Sequence, residues 1–154
     1  MENFEGVLSL WFSNCNNFVD FSLSEGLKKV KEIRNFWIVK NNNLINFKGL
    51  ENLKSINWQF HVTANNKLKD FSGLENVKYT GLQFRVGFRK IWAEFDDAGN
   101  SKRHEVEGNA SLDNFCALSN AFVNTSDFNS NNNFIEKNLF NPTIEEIVTG
   151  NCKK

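Results

Sequence analysis

Two stretches decide the fold: Asn41-Asn42-Asn43-Leu44-Ile45-Asn46-Phe47-Lys48-Gly49-Leu50-Glu51-Asn52-Leu53-Lys54 and Asn65-Asn66-Lys67-Leu68-Lys69-Asp70-Phe71-Ser72-Gly73-Leu74-Glu75-Asn76-Val77-Lys78. Equivalent positions, such as Leu44 and Leu68 or Phe47 and Phe71, stand 24 residues apart. A period of this length signals a solenoid, in which each unit buries its apolar edge only against its neighbours. The heart of the pattern is a large apolar residue, any residue, Asn or Asp, then Phe. It occurs twice more, as Phe18-Val19-Asp20-Phe21 and Leu112-Asp113-Asn114-Phe115. A small residue and Leu follow each copy, the outer two as Gly26-Leu27 and Ala117-Leu118. About four coils of roughly 24 residues are therefore expected.

An alternating stretch follows each of the middle copies, with the period of two that marks a half-buried strand. Trp58, Phe60 and Val62 alternate with Gln59, His61 and Thr63, and Leu82, Phe84 and Val86 with Gln83, Arg85 and Gly87. Trp37 and Val39 read as inward residues in register with Phe60 and Val62, and Leu8 and Leu10 as the same strand of a partial first copy. That parity leaves Phe36, Ile38 and Trp11 outward, beside His61 and Arg85. The result is an apolar patch that needs a cover or a partner.

Asparagine recurs in register ahead of each tetrapeptide, at Asn41, Asn65 and Asn109, with Cys15 in the first copy. Stacked at the strand spacing of about 4.8 Å, such side chains suit turn caps and amide ladders. Asp20, Asn46, Asp70 and Asn114 read as turn or ladder residues in the same way. The 26 Asn against one Pro fit a turn-rich coil, although an AT-rich genome would give the same excess.

Between Leu68 and Leu112 the spacing is 44 instead of 24, which leaves an insertion of about 20 residues, Arg89 to Gly108. It opens with Ile91, Trp92 and Phe95, turns at Asp96-Asp97-Ala98-Gly99-Asn100 and returns through the charged run Lys102 to Glu107. A hairpin is the expectation. Its aromatic residues either fold over the apolar patch or join it in a docking surface for a protein or glycan, for which Trp11, Phe36, Ile38, His61, Arg85, Trp92 and Phe95 are the candidate residues.

Composition excludes several classes. With 154 residues and 40% apolar content the chain fits a single domain with one core. Eighteen basic residues balance eighteen acidic ones without long blocks, so a nucleic-acid partner is not expected. Sixteen Phe and four Trp against one Tyr suggest rings used as buried filling. No apolar run approaches the ~20 residues of a membrane span. Met1 to Leu10 lacks the basic-then-apolar order of a secretory leader. The chain also starts inside what reads as a repeat, which fits a leader or earlier repeats having been removed or belonging to a longer parent.

Catalytic chemistry finds little footing. His61 and His104 have no readable Ser or Cys partner, and no Gly-rich phosphate loop precedes a helix, so no enzyme, metal or cofactor is expected. The acids of the insertion, Glu94, Asp96, Asp97, Glu105 and Glu107, lack the ligand spacing of a calcium loop and read as a solvated turn. Cys15, Cys116 and Cys152 allow one disulfide and one free thiol, and no CxxC pair suggests zinc. Cys15 reads as a buried thiol.

The order Asn-Asn-Xaa-Leu-Xaa-Asp-Phe-Ser-Gly-Leu-Glu-Asn, followed by an alternating strand, resembles the leucine-rich, receptor L-domain-like repeats of bacterial surface proteins. The ending, Phe115-Cys116-Ala117-Leu118, Asn141-Pro142-Thr143-Ile144-Glu145-Glu146-Ile147 and Gly150-Asn151-Cys152, is similar to their terminal cap. The resemblance implies a mainly β, right-handed parallel β-helix-like solenoid filling residues 1–154, with a C-terminal cap at about 119–154. It also implies a place at the cell surface. In that setting a Cys116–Cys152 disulfide would staple the cap to the last coil. The expected function is a non-catalytic recognition or adhesion module; a structural spacer or capping segment, and more remotely a carbohydrate-active enzyme, are the alternatives.

Overall fold

The computed structural model describes residues 6–87, 93–95, 101–103, 108–122 and 132–154. Its strands are β1 (Gly6–Ser13), β2 (Glu32–Val39), β3 (Ser55–Thr63), β4 (Lys78–Tyr79), β5 (Gln83–Gly87), β6 (Ala93–Phe95), β7 (Ser101–Arg103) and β8 (Phe134–Glu136). Among the described residues, helix is confined to α1 (Ile144–Thr149) and two single 3-10 turns. β1, β2, β3, β5 and β8 lie side by side in that order, all parallel, with β4 also paired to β3. The protein is a mainly β solenoid of about three turns.

Each coil closes because the same local chemistry recurs. Asp20, Asn46, Asp70 and Asn114 each accept a hydrogen bond from the backbone N–H two residues on, at 2.9 to 3.1 Å, so all four are turn formers as their repetition suggested. The Phe after each is buried, and Phe21, Phe47, Phe71 and Phe115 stack from coil to coil with ring centroids 6.1, 5.5 and 5.3 Å apart. Gly49 and Gly73 hold positive φ, and a Cβ on Gly49 would lie 2.3 Å from the Phe21 carbonyl carbon of the coil before. Only glycine allows that approach.

A second inward column, Leu10, Phe36, Phe60 and Phe84, faces the first across the core. Here the structure corrects the expected parity of β2. Phe36 and Ile38 are fully buried, in register with Phe60 and Val62, whereas Trp37 and Val39 are on the outer face. Both alternating sets of Phe36-Trp37-Ile38-Val39 are apolar, so pattern could not choose between them; the pairing did. The register of β2 with β3 also shifts between Ile33 and Asn35, because Ile56 to Gln59 spends one more residue than its neighbour. The extra residue turns Trp58 out of the core to 39% exposure, and the Arg34 guanidinium lies over its ring at 4.9 Å. Leu82, just ahead of β5, is likewise outside, 60% exposed.

A row of asparagines locks the strand ends. Asn41, Asn65 and Asn109 are completely buried. Each side-chain oxygen accepts the backbone N–H at the equivalent position one coil earlier: Cys15 to Asn41, Asn41 to Asn65, and Asn65 to Asn109, all at 3.0 Å. Each side-chain nitrogen donates to a strand carbonyl of that earlier coil, at Phe12, Ile38 and Val62. Asn138 continues the row into the C-terminal segment and Asn141 terminates it. To enter the row the chain passes through left-handed backbone at Asn14, Lys40, Ala64 and Lys137, with φ between 55° and 61°. Cys15, the first member, is exposed and not the buried thiol expected; it follows β1, the edge strand of the described sheet.

The C-terminal segment closes the other end. It supplies β8 to the sheet, a strand absent from the sequence reading. It then forms α1, opened by a reciprocal Thr143–Glu146 capping box and ended by left-handed Gly150. Ile147 is buried against the last coil. Cys116 and Cys152 are disulfide-bonded, and the Phe115 N–H donates to the Cys152 carbonyl at 2.7 Å. In the insertion, β6 and β7 pair antiparallel with each other, Glu94 opposite Lys102, as a hairpin requires.

Candidate functional site

The outer face of the sheet carries two rows of side chains across the strands. Parallel register puts Ser9, Asn35, Gln59 and Gln83 in one row and Trp11, Trp37, His61 and Arg85 in the next. Stacked coils set these neighbours at the strand spacing of about 4.8 Å. Trp11, on the edge strand, is 67% exposed, and its ring centroid lies 5.0 Å from that of Trp37, tilted by 39°. Trp37 in turn meets the His61 ring edge-on at 4.9 Å.

Hydrogen bonds knit the two rows. Asn35 donates to the Ser9 hydroxyl at 3.0 Å, the Trp37 indole N–H donates to Gln59 Oε1 at 2.9 Å, and Gln59 Nε2 donates to Gln83 Oε1 at 2.9 Å. The Trp37–Gln59–Gln83 donors run toward β5 and end on the Gln83 side-chain amide, whereas Asn35 donates the other way, toward β1. Arg85 donates through Nε to the Asn132 carbonyl at 3.3 Å and lies 6.0 Å from the Phe134 ring centre. His61 Nδ1 and Asn35 Oδ1 are shielded from solvent and have no hydrogen-bond partner among the described residues. Burial, then the nearby Arg85 charge, lowers the His61 pKa from 6.5 to about 4, so its imidazole is neutral at neutral pH. Arg85 is then the one charged side chain in the two rows.

Of the expected site residues, Trp11, His61 and Arg85 share this face. Phe36 and Ile38 are core residues and leave the candidate set. Trp92 lies outside the described residues, and Phe95 is placed only as a position on β6. The insertion departs after Gly87, two residues beyond Arg85, so its root adjoins the outer rows. Sequence reasoning missed Trp37, Gln59 and Gln83 as site residues. Gln59 and Gln83 stand 24 residues apart, and that repetition was the available signal.

Among the described residues no three His, Cys, Asp or Glu side chains gather as a metal site would require, and no helix is long and apolar enough to cross a membrane. No protein-family model, curated protein or solved structure matches this chain.

Proposed function

We propose that this protein is a non-catalytic recognition module of the cell surface, a right-handed coil of the receptor L-domain-like kind, that holds a protein or glycan ligand on its outer strand face. The carrying observation is Trp11: a solvent-exposed indole set beside Trp37, whose own indole N–H is held by Gln59 in the adjoining row. An ordered surface of this kind loses little side-chain entropy on binding, which favours affinity. The insertion at 89–108 is proposed to flank the ligand, because its root adjoins Arg85.

A screen of the labelled intact chain against arrayed extracellular proteins and glycans tests this reading. The expected result is a ligand whose binding is lost in Trp11→Ala and weakened by removing residues 89–108. Leu23→Ala, in the connection between β1 and β2, should bind normally. Binding that ignores Trp11 would overturn the assignment of the face.

The spacer reading draws on a different observation. The Trp37–Gln59–Gln83 bonds join successive coils, so the same rows also serve cohesion. Complete silence of the folded chain across the screen would favour it.

A further inference from the structure

We propose that the ligand of the outer rows is a neutral, extended, β-linked polysaccharide lying across the strands, an inference that rests on the recognition reading above. Three features of the rows select this class. The first is charge: eight side chains contribute a single formal charge, Arg85, because His61 is neutral, so a polyanion finds no cluster of cations and a basic segment finds no acids. The second is the kind of contact on offer. Trp11 presents an open aromatic surface at one end, suited to the C–H-rich face of a sugar ring. Toward β5, Gln83 accepts from Gln59 and stands two residues from Arg85 on the same face, so a carboxamide with N–H donors for hydroxyl oxygens lies in the rows there.

The third feature is length. From β1 to β5 the rows cross three strand intervals, about 14 Å at the strand spacing. A ligand touching both Trp11 and Gln83 must therefore be extended and several units long. Sugar rings in a β-1,4-linked chain of glucose-type units are joined equatorially at both ends and advance by nearly one strand interval each, so ring after ring meets the same row, whereas α-1,4-linked glucose chains coil away from a flat surface. A peptide is a weaker match. The backbone hydrogen bonds of the inner strands are already used in the parallel sheet, so strand addition is closed on this face.

The test is isothermal titration of the full chain with uncharged hexamers of β-linked glucose and β-linked N-acetylglucosamine, beside an α-linked glucose hexamer and a polygalacturonate oligomer. Saturable binding of a β-linked neutral hexamer is expected, insensitive to added salt. It should weaken about ten-fold or more in Trp11→Ala and a few-fold in Gln83→Ala. Circular dichroism and urea midpoints confirm that each variant is folded. Preference for the α-linked or the charged oligomer would overturn the inference. So would failure of every glycan while an arrayed protein binds in a Trp11-dependent manner, and that outcome leaves the recognition reading standing. Silence from glycans and proteins alike overturns both.

Discussion

Two rows of carboxamides cross the same strands of this solenoid, and their surroundings give them different work. Asn65 sits at the end of β3, fully buried, and answers backbone groups of the neighbouring coil. Gln59, six residues earlier, stands on the outer face and answers only the side chains of Trp37 and Gln83. Removing the first leaves buried backbone N–H and C=O groups with no substitute. Removing the second leaves groups that water can reach. The same functional group is thus structural in one row and available for recognition in the other.

The comparison can be broken most severely at Asn65. Asn65→Ala strips the side-chain partner from the Asn41 N–H and from the Ile38 carbonyl, and one of two donors from the Thr63 carbonyl, which keeps the Lys40 N–H. We expect a loss of roughly 3–5 kcal/mol in urea unfolding, or no folded protein at all. A variant within about 1 kcal/mol of the parent would show that the inner row is ornamental. Next comes the staple at the C-terminal end. Cys152→Ser opens a loop of 36 residues and should cost about 3–4 kcal/mol in the chain-entropy model. Mass spectrometry of the unreduced protein, oxidised during preparation, should find one reactive thiol, Cys15; three would disprove the bond.

A pH experiment probes the outer row. Because the folded His61 pKa is depressed to about 4, the unfolded chain binds this proton more readily. The contribution is fully present above about pH 6.5 and is lost progressively as pH falls toward 4. The ceiling is about 3 kcal/mol. Urea midpoints of the parent and His61→Gln, compared at about pH 7 and pH 4.5, should differ in slope, with the variant less sensitive to acid. Equal sensitivity would refute the burial of that imidazole.

The two smallest effects sharpen the contrast. Gln59→Ala should cost less than about 1 kcal/mol, since only exposed-side hydrogen bonds are lost. Ala64→Gly, at φ 55° beside the inner row, should be neutral or stabilise by up to about 1 kcal/mol, because glycine takes left-handed backbone without strain. Thermal or urea midpoints distinguish both from the large losses above.

How much was legible follows from how each feature is encoded. The Asx turns at Asp20, Asn46, Asp70 and Asn114 need only neighbouring residues, so repetition in the chain exposes them. The inner ladder was visible at Asn41, Asn65 and Asn109, but Asn138 lies in a segment whose repeat pattern has faded, and β8 was missed with it. The orientation of β2 was unreadable, because Phe36-Trp37-Ile38-Val39 is apolar on either parity. Trp58 was misread for a related reason: a strand bulge carries no signature in a run of alternating apolar residues.

By itself, the sequence determined the period, the coil turns, the ladder positions and the hairpin insertion, because these arise from short-range spacing repeated at a constant interval. Tertiary structure alone decided which face of β2 entered the core, where the bulge fell, and that Trp11, Trp37, His61 and Arg85 came to share a surface. Those outcomes depend on the register between strands about 24 residues apart, where a shift of one residue exchanges inside for outside.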